Sequence, residues 1–184
     1  MLSAQRCKKI HSRSNYDKEL DPKKIRHYYV DGSYNPDTGI ASSAILAKGW
    51  GFKPYTIVKQ YRGKKCSSTY AEHRAIDSAI EDAKNRGLDL THVIIHTDQK
   101  GIVSGIGKLS VLKERIEGYG IRLKYLPSVH EIDSNSTKRE INAYTVNELA
   151  NKSTRGYGNR YCLYFNKRRR KRKNRQVRPS RYNS

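Results

Sequence analysis

The sequence predicts an α/β fold built on a mixed sheet. Three observations predict it. Three strand-like runs open the core of the chain, joined by short links such as Asn35-Pro36-Asp37-Thr38-Gly39, which suits an antiparallel meander. Ala71, Ala75, Ile76, Ala79, Ile80 and Ala83 then recur at helical spacing. The run Thr91–Thr97, with Val93, Ile94 and Ile95 inside it, is the most strand-like stretch of the chain. The resulting order of three strands, helix, strand, helices, strand and helix is an α/β layout.

The elements follow in order. Tyr28, Tyr29 and Val30 carry a first strand over Arg26–Ser33 that leads into Asp31. A second strand is expected at Ala41–Lys48 and a third at Tyr55–Tyr61, where β-branched and aromatic residues return. Ser67, Ser68 and Thr69 offer N-caps for the long helix, which Arg86-Gly87 ends. After the fourth strand, closed by Asp98, short helices are expected over Lys100–Ile106 and Val111–Glu117. Gly118 and Gly120 punctuate the chain before a fifth strand, Ile121–Leu126. Polar residues fill 127–137, and a last helix is expected over Arg139–Asn151 with Ile141, Tyr144, Val146 and Leu149 as its apolar positions.

The chain has 184 residues, room for one ordinary domain plus tails. Its 38 Lys and Arg against 17 Asp and Glu give a formal net charge of +21, and that charge is unevenly spread. Residues 167–184 hold ten basic side chains and no acid, whereas residues 28–166 hold twenty against fourteen. The division is therefore a basic mobile arm over 1–25, a folded domain over 26–155, and a tail over 156–184 that is aromatic first and strongly basic after. Such charge calls for a densely anionic partner, and nucleic acid leads. No apolar run approaches the length needed to span a bilayer, so no membrane partner is expected. Cys7, Cys66 and Cys162 form no pairwise motif, which fits a reducing intracellular compartment, cytoplasmic or nuclear. The first sixteen residues share their acid-free basic composition with organelle transit peptides, but a solvated arm is the simpler reading.

In so basic a chain, acids at element junctions stand out. Asp31 ends the first strand, Asp98 ends the fourth, and Glu72 sits in the first turn of the long helix on the stripe of Ile76, Ala79 and Ala83. An acid on an apolar stripe needs a cationic partner. Three carboxylates brought together repel one another, and a hard divalent cation is the usual remedy; Mg²⁺ takes oxygen ligands, and Mn²⁺ is an alternative. Each acid also has a plainer explanation. Asp31-Gly32 is a common turn, Glu72 suits a helix dipole, and Asp98 suits an N-cap. The joint pattern of strand end, helix and strand end is what points to chemistry.

The motifs Tyr29-Val30-Asp31-Gly32-Ser33, Thr69-Tyr70-Ala71-Glu72-His73-Arg74-Ala75, Ile95-His96-Thr97-Asp98 and Val146-Asn147-Glu148-Leu149-Ala150 resemble those of the type 1 ribonuclease H family, in order and spacing, across about residues 26–153. The resemblance implies a ribonuclease H-like mixed five-stranded sheet, three antiparallel strands then two parallel, with helices on both faces, and divalent-metal hydrolysis of the RNA strand of RNA–DNA hybrids. It also implies two Mg²⁺ ions held by Asp31, Glu72, Asp98 and the residue at position 147. That residue is Asn147 where the family carries a fourth acid, so the site loses a charge and keeps an oxygen donor. Glu148 projects about 100° away on a helix, and Asp133 is the other acid nearby. Ser68 and Thr69 stand where the family often places asparagines that read the 2′-hydroxyl; both donate and accept. Only Ile106 to Gly120 separates the helix after Asp98 from the fifth strand, leaving no room for the family's basic protruding loop. No separate hybrid-binding domain is expected ahead of the first strand. His130 falls where the family keeps a mobile histidine near the leaving group, which implies proton handling.

Nucleic-acid contacts are expected from Ser33, Asn35, Ser68, Thr69 and Lys100 near the acids. From the tail they are expected of Arg168, Arg169, Arg170, Lys171, Arg172 and Lys173, which would replace the missing basic loop. Tyr157, Tyr161, Tyr164 and Phe165 are read as pinning the start of the tail to the domain. The leading function is a monomeric, metal-dependent endoribonuclease. The competing readings are a catalytically weak binding module that keeps the fold, and a structured-DNA nuclease of the same fold.

Overall fold

The computed structural model describes Asp21 and residues 23–157. Most of the N-terminal arm, and the tail with Tyr161, Tyr164, Phe165, Arg168, Arg169, Arg170, Lys171, Arg172 and Lys173, lie outside the described residues. Five strands form one sheet: β1 (Arg26–Asn35), β2 (Ile40–Gly49), β3 (Phe52–Arg62), β4 (Val93–Thr97) and β5 (Arg122–Tyr125). Their spatial order is β3-β2-β1-β4-β5. The first three pair antiparallel, β4 runs parallel to β1, and β5 runs parallel to β4. The predicted mixed sheet is the observed one. Asn35 opens the β1–β2 turn by accepting the Asp37 backbone N–H at 2.9 Å, and Gly39 closes it at φ +63°, where a side chain would be strained.

Helices cover both faces. α1 (Ser68–Asn85) lies on one face, α4 (Lys138–Lys152) on the other, and the short α2 (Lys100–Ser104) and α3 (Ser110–Gly118) link β4 to β5. Because side chains alternate along a strand, β1 feeds two cores. Tyr28 and Val30 join Ile45, Ala47, Ala75, Ile76, Ala79, Val93 and Ile95 beneath α1. Tyr29 joins Ala44, Leu46, Val146 and Ala150 beneath α4. Ile45, Ile76 and Ile95 are fully buried, each contributing about 1.5–3 kcal/mol by leaving water.

Two details depart from the sequence reading. Ser67, not Ser68 or Thr69, caps α1, its side chain accepting from the Tyr70 N–H. Glu72 is therefore the fifth helical residue and lies past the first turn, so a helix-dipole role falls away. In α4 the capping box of Thr137 and Glu140 fixes the start, but Ile141 is exposed and Asn142 is buried in its stead. Asn142 is satisfied there because the Lys48 ammonium on β2 donates to its Oδ1, which apolar periodicity does not reveal. Past α4, a π-helical turn (Ser153–Tyr157) is tied to the sheet by Gln60, whose Nε2 donates to the Ser153 carbonyl at 2.6 Å. Among the described residues no helix is long and apolar enough to cross a membrane.

Candidate active site

The same alternation that builds the two cores sets the site. Asp31 and Ser33 share the α4 face of β1 with Tyr29, and Asp98 follows His96 on the α4 face of the neighbouring parallel strand. Asp98 directly follows the end of β4, whereas Asp31, expected to end its strand, lies inside β1, opposite Ala44 of β2 and two residues past the last β1–β4 pair, Tyr29 and His96, because the pairing with β2 carries β1 on to Asn35. Glu72 arrives from the opposite face. Gly32 makes that approach feasible: a Cβ there would lie 2.3 Å from the Glu72 backbone N and 2.4 Å from the Ala71 carbonyl carbon. The missing side chain lets the start of α1 sit directly on the end of β1, so Glu72 reaches round to the aspartates.

One carboxylate oxygen from each of Asp31, Glu72 and Asp98 lies within 4.8 Å of the other two. Asp31 and Glu72 are buried, and their electrostatics follow. Burial, then the charge of Asp98, pushes the Asp31 carboxyl up to about 7, against a smaller downward pull from the Gly32 N–H. Burial, then Asp31 and Asp98, pushes Glu72 up to about 9. Asp98 is raised by burial too, opposed by a hydrogen bond from Ser128 and by the nearby His130 ring. No lysine or arginine pairs with any of the three among the described residues. Glu72 Oε2 is buried with no hydrogen-bond partner. Three clustered carboxylates, one of them with an unpartnered buried oxygen, and no pairing lysine or arginine are a donor set that fits a divalent ion.

The cleft beside the aspartates is lined by Tyr29, His96, Ser128, Ala143, Val146 and Asn147, among others. Asn147 thus faces the same cleft as Asp31 and Asp98, but its Oδ1 accepts from Asn151 Nδ2 at 2.6 Å. Ser33 donates its hydroxyl to Asn151 Oδ1 at 2.7 Å. Ser68 and Thr69 are exposed in the first turn of α1, and Lys100 is exposed at the start of α2. The Asn35 side chain serves the β1–β2 turn. His130 is exposed in the loop before α4, close enough to Asp98 to stabilise its charge. Asp133 is exposed, with Asn135 and Ser136 donating to it, and stands apart from the acidic cluster.

Sequence reasoning missed a pair of histidines, His27 and His96, the second of which lines the cleft. His96 is 3% exposed, stacks on Tyr29 at 4.5 Å between centroids, and shares a hydrogen bond of 3.0 Å with His27. Burial, then His27, Arg139 and Lys124, drives its pKa down to about 3, so it is neutral packing beneath Asp98. The parallel register, Tyr29 opposite His96, is the signal; it exists only once the strands pair.

No protein-family profile matches the sequence, and no curated protein matches it. Solved structures do match in fold. The N-terminal RNase H domain of a Mycobacterium tuberculosis protein, solved as a fusion with maltose-binding protein, superposes with a TM-score of 0.53 at 15% identity, over 74% of this chain and 98% of that one. LC11-RNase H1, isolated from compost by a metagenomic approach and solved with an RNA/DNA hybrid, superposes with a TM-score of 0.50 at 18% identity, over 69% of this chain and 94% of that one. The chain has a ribonuclease H-like fold, and it carries an acidic triad, buried at Asp31 and Glu72 and half-buried at Asp98, beside its two central parallel strands.

Proposed function

We propose that this protein is a divalent-metal-dependent endoribonuclease that hydrolyses the RNA strand of RNA–DNA hybrids. The observation that carries the reading is the convergence of Asp31, Glu72 and Asp98 within 4.8 Å without a cationic partner. Asp31, Glu72 and Asp98 would hold Mg²⁺ or Mn²⁺. Such ions, when bound, supply Lewis-acid polarisation of phosphate oxygens and acidify bound water.

The chain's own groups do the rest. Gly32 seats α1 against β1, which holds Glu72 in register with the aspartates. Ser128 orients Asp98 through its hydroxyl. The exposed hydroxyls of Ser68 and Thr69 face solvent at the start of α1, where each can donate to or accept from a ribose 2′-hydroxyl. His130, exposed and near Asp98, would hand a proton to a departing oxygen. Lys100 and the ten basic residues of 167–184 would bind phosphates, anchoring the duplex without reading its sequence. The protein would act as a monomer inside the cell, in cytoplasm or nucleus.

Asn147 favours a second reading, a nucleic-acid-binding module that keeps the fold with reduced catalysis, because it removes a negative charge from the cleft. Incubation of the full chain with labelled hybrid in Mg²⁺, Mn²⁺ or EDTA separates the two. Metal-dependent cleavage of the RNA strand supports the enzyme; tight hybrid binding with no cleavage in either metal supports the module.

A further inference from the structure

Asn147 reaches the cleft as the end of a hydrogen-bonded chain. Ser33 Oγ on β1 donates to Asn151 Oδ1 at 2.7 Å, and Asn151 Nδ2 donates to Asn147 Oδ1 at 2.6 Å. Asn151 lies one helical turn beyond Asn147, so the two amides face each other at the i,i+4 spacing. The direction of the chain has a chemical consequence. An amide presents one acceptor and one donor end. With its Oδ1 directed at Asn151, Asn147, which lines the cleft, keeps its NH₂ group as the end that no hydrogen bond among the described residues engages. The alternative assignment, with Asn147 Nδ2 donating to Asn151 Oδ1, requires Asn151 to turn over as well and Ser33 Oγ to become an acceptor. The chain is thus all-or-none: either every member points one way or every member points the other.

We propose that Ser33 and Asn151 are positioning residues that turn the Asn147 amide nitrogen toward the cleft, so that position 147 offers a hydrogen-bond donor to a nucleic-acid phosphate instead of a fourth ligand to the metal. The inference rests on the nuclease reading above and deepens it. It makes the acids alone responsible for metal affinity, and it assigns Asn147 to the substrate. Phosphate oxygens are acceptors only, so a site with three carboxylates gains from one donor aimed at the anion they would otherwise repel. It also gives the hydroxyl of Ser33 a partner within the protein in place of one on the nucleic acid.

The test is titration calorimetry on the full chain, first with MnCl₂ alone and then with a short RNA–DNA hybrid in Ca²⁺ buffer, for wild type and four variants. Asn147→Ala removes the donor. It should weaken hybrid binding about tenfold, the scale of one hydrogen bond to a charged oxygen, and leave Mn²⁺ affinity within twofold of wild type. Asn151→Asp replaces the donor to Asn147 by an acceptor, which forces the Asn147 amide to turn its oxygen to the cleft. Mn²⁺ affinity should then rise severalfold while hybrid affinity falls. Ser33→Ala, which removes only the far end of the chain, should shift both affinities in the same directions by a smaller factor and so covers the case in which Asn151→Asp does not fold. A loss of Mn²⁺ affinity in Asn147→Ala, or hybrid affinity unchanged in both Asn147→Ala and Ser33→Ala, overturns the proposal. Asp31→Asn serves as the control for the underlying reading: if wild type and Asp31→Asn bind Mn²⁺ equally, the acidic site itself is refuted, whatever the relay variants show.

Discussion

Gly32→Ala is the sharpest structural perturbation the site offers. A methyl group at position 32 would sit 2.3 Å from Glu72 N, 2.4 Å from the Ala71 carbonyl carbon and 2.7 Å from the Ala71 carbonyl oxygen. Ordinary contact begins near 3.4 Å, so the overlap is about 1 Å, and every atom involved is backbone. No rotamer change relieves it; the start of α1 must lift from β1 by roughly that distance. Overpacking of this kind costs about 1–3 kcal/mol, and rigid backbone on both sides puts it at the upper end. For a domain of this size that lowers the melting temperature by roughly 10 °C. Lifting α1 also carries Glu72 away from Asp31 and Asp98, and a misplacement of about 1 Å in a ligand set weakens it by about tenfold or more. Gly39→Ala is the control, because Gly39 has φ +63° with nothing within 4 Å of its missing Cβ. Its cost is conformational strain alone, about 1 kcal/mol. Differential scanning calorimetry and Mn²⁺ titration of the two variants make the comparison. If Gly32→Ala melts no lower than Gly39→Ala and binds Mn²⁺ as wild type does, the close seating of α1 on β1 is not what builds the site.

Three further outcomes follow from the same geometry. In metal-free buffer the folded protein holds protons on Asp31 and Glu72, at about 7 and about 9, that the unfolded chain releases near 4. Stability should therefore fall as pH rises from about 5 to about 9; Glu72→Gln should flatten that fall and raise the melting temperature at the alkaline end, and saturating Mg²⁺ should flatten it as well. A wild-type melting temperature that climbs across that range in EDTA would show that the acids are not a repulsive cluster. Asn147→Asp should lower the Mg²⁺ concentration giving half-maximal rate, since a carboxylate can accept from Asn151 with one oxygen and turn the other to the cleft; an unchanged or higher concentration would place position 147 outside the metal's reach. Truncation after Asn166 removes ten positive charges and none of the acids. Hybrid affinity should drop far more than turnover of bound substrate, and the slope of log affinity against log salt should flatten by roughly 0.9 for each phosphate the tail no longer neutralises; an unaltered slope would leave the tail without a role in binding.

Most of the fold was legible because its signals are local. Turn residues such as Asn35 and Gly39, the alanine stripe of α1 and the β-branched β4 each declare their element within a few residues. The three acids were legible for a different reason: carboxylates in apolar runs are costly enough to attract notice, although only Asp98 stands at an element boundary, Asp31 lying inside β1 and Glu72 past the first turn of α1. What the sequence hid depends on pairing across the fold. Asn142 reads as a surface residue until Lys48 arrives from β2 to satisfy it, and Ile141 reads as core until α4 is rotated accordingly. Glu72 shifted out of the first turn because Ser67 won the capping competition over two equally suitable neighbours. The stack of Tyr29 on His96 needs the parallel register of β1 and β4, and the Ser33–Asn151–Asn147 chain joins residues 118 positions apart. Ser33 and Asn35, both expected to contact nucleic acid, have intramolecular partners for their side chains.

The claim that joins these observations is that Asp31, Glu72 and Asp98 form a metal-dependent nuclease centre selective for hybrids. The most direct measurement is cleavage of end-labelled RNA–DNA hybrid, RNA duplex and DNA duplex by wild type and Asp98→Asn, each in Mg²⁺, Mn²⁺ and EDTA. The expected result is cleavage of the RNA strand of the hybrid alone, in either metal, abolished by EDTA and reduced by roughly a hundredfold or more in Asp98→Asn. Cleavage that persists in EDTA or in Asp98→Asn, or a wild-type protein that leaves the hybrid intact in both metals, would contradict it.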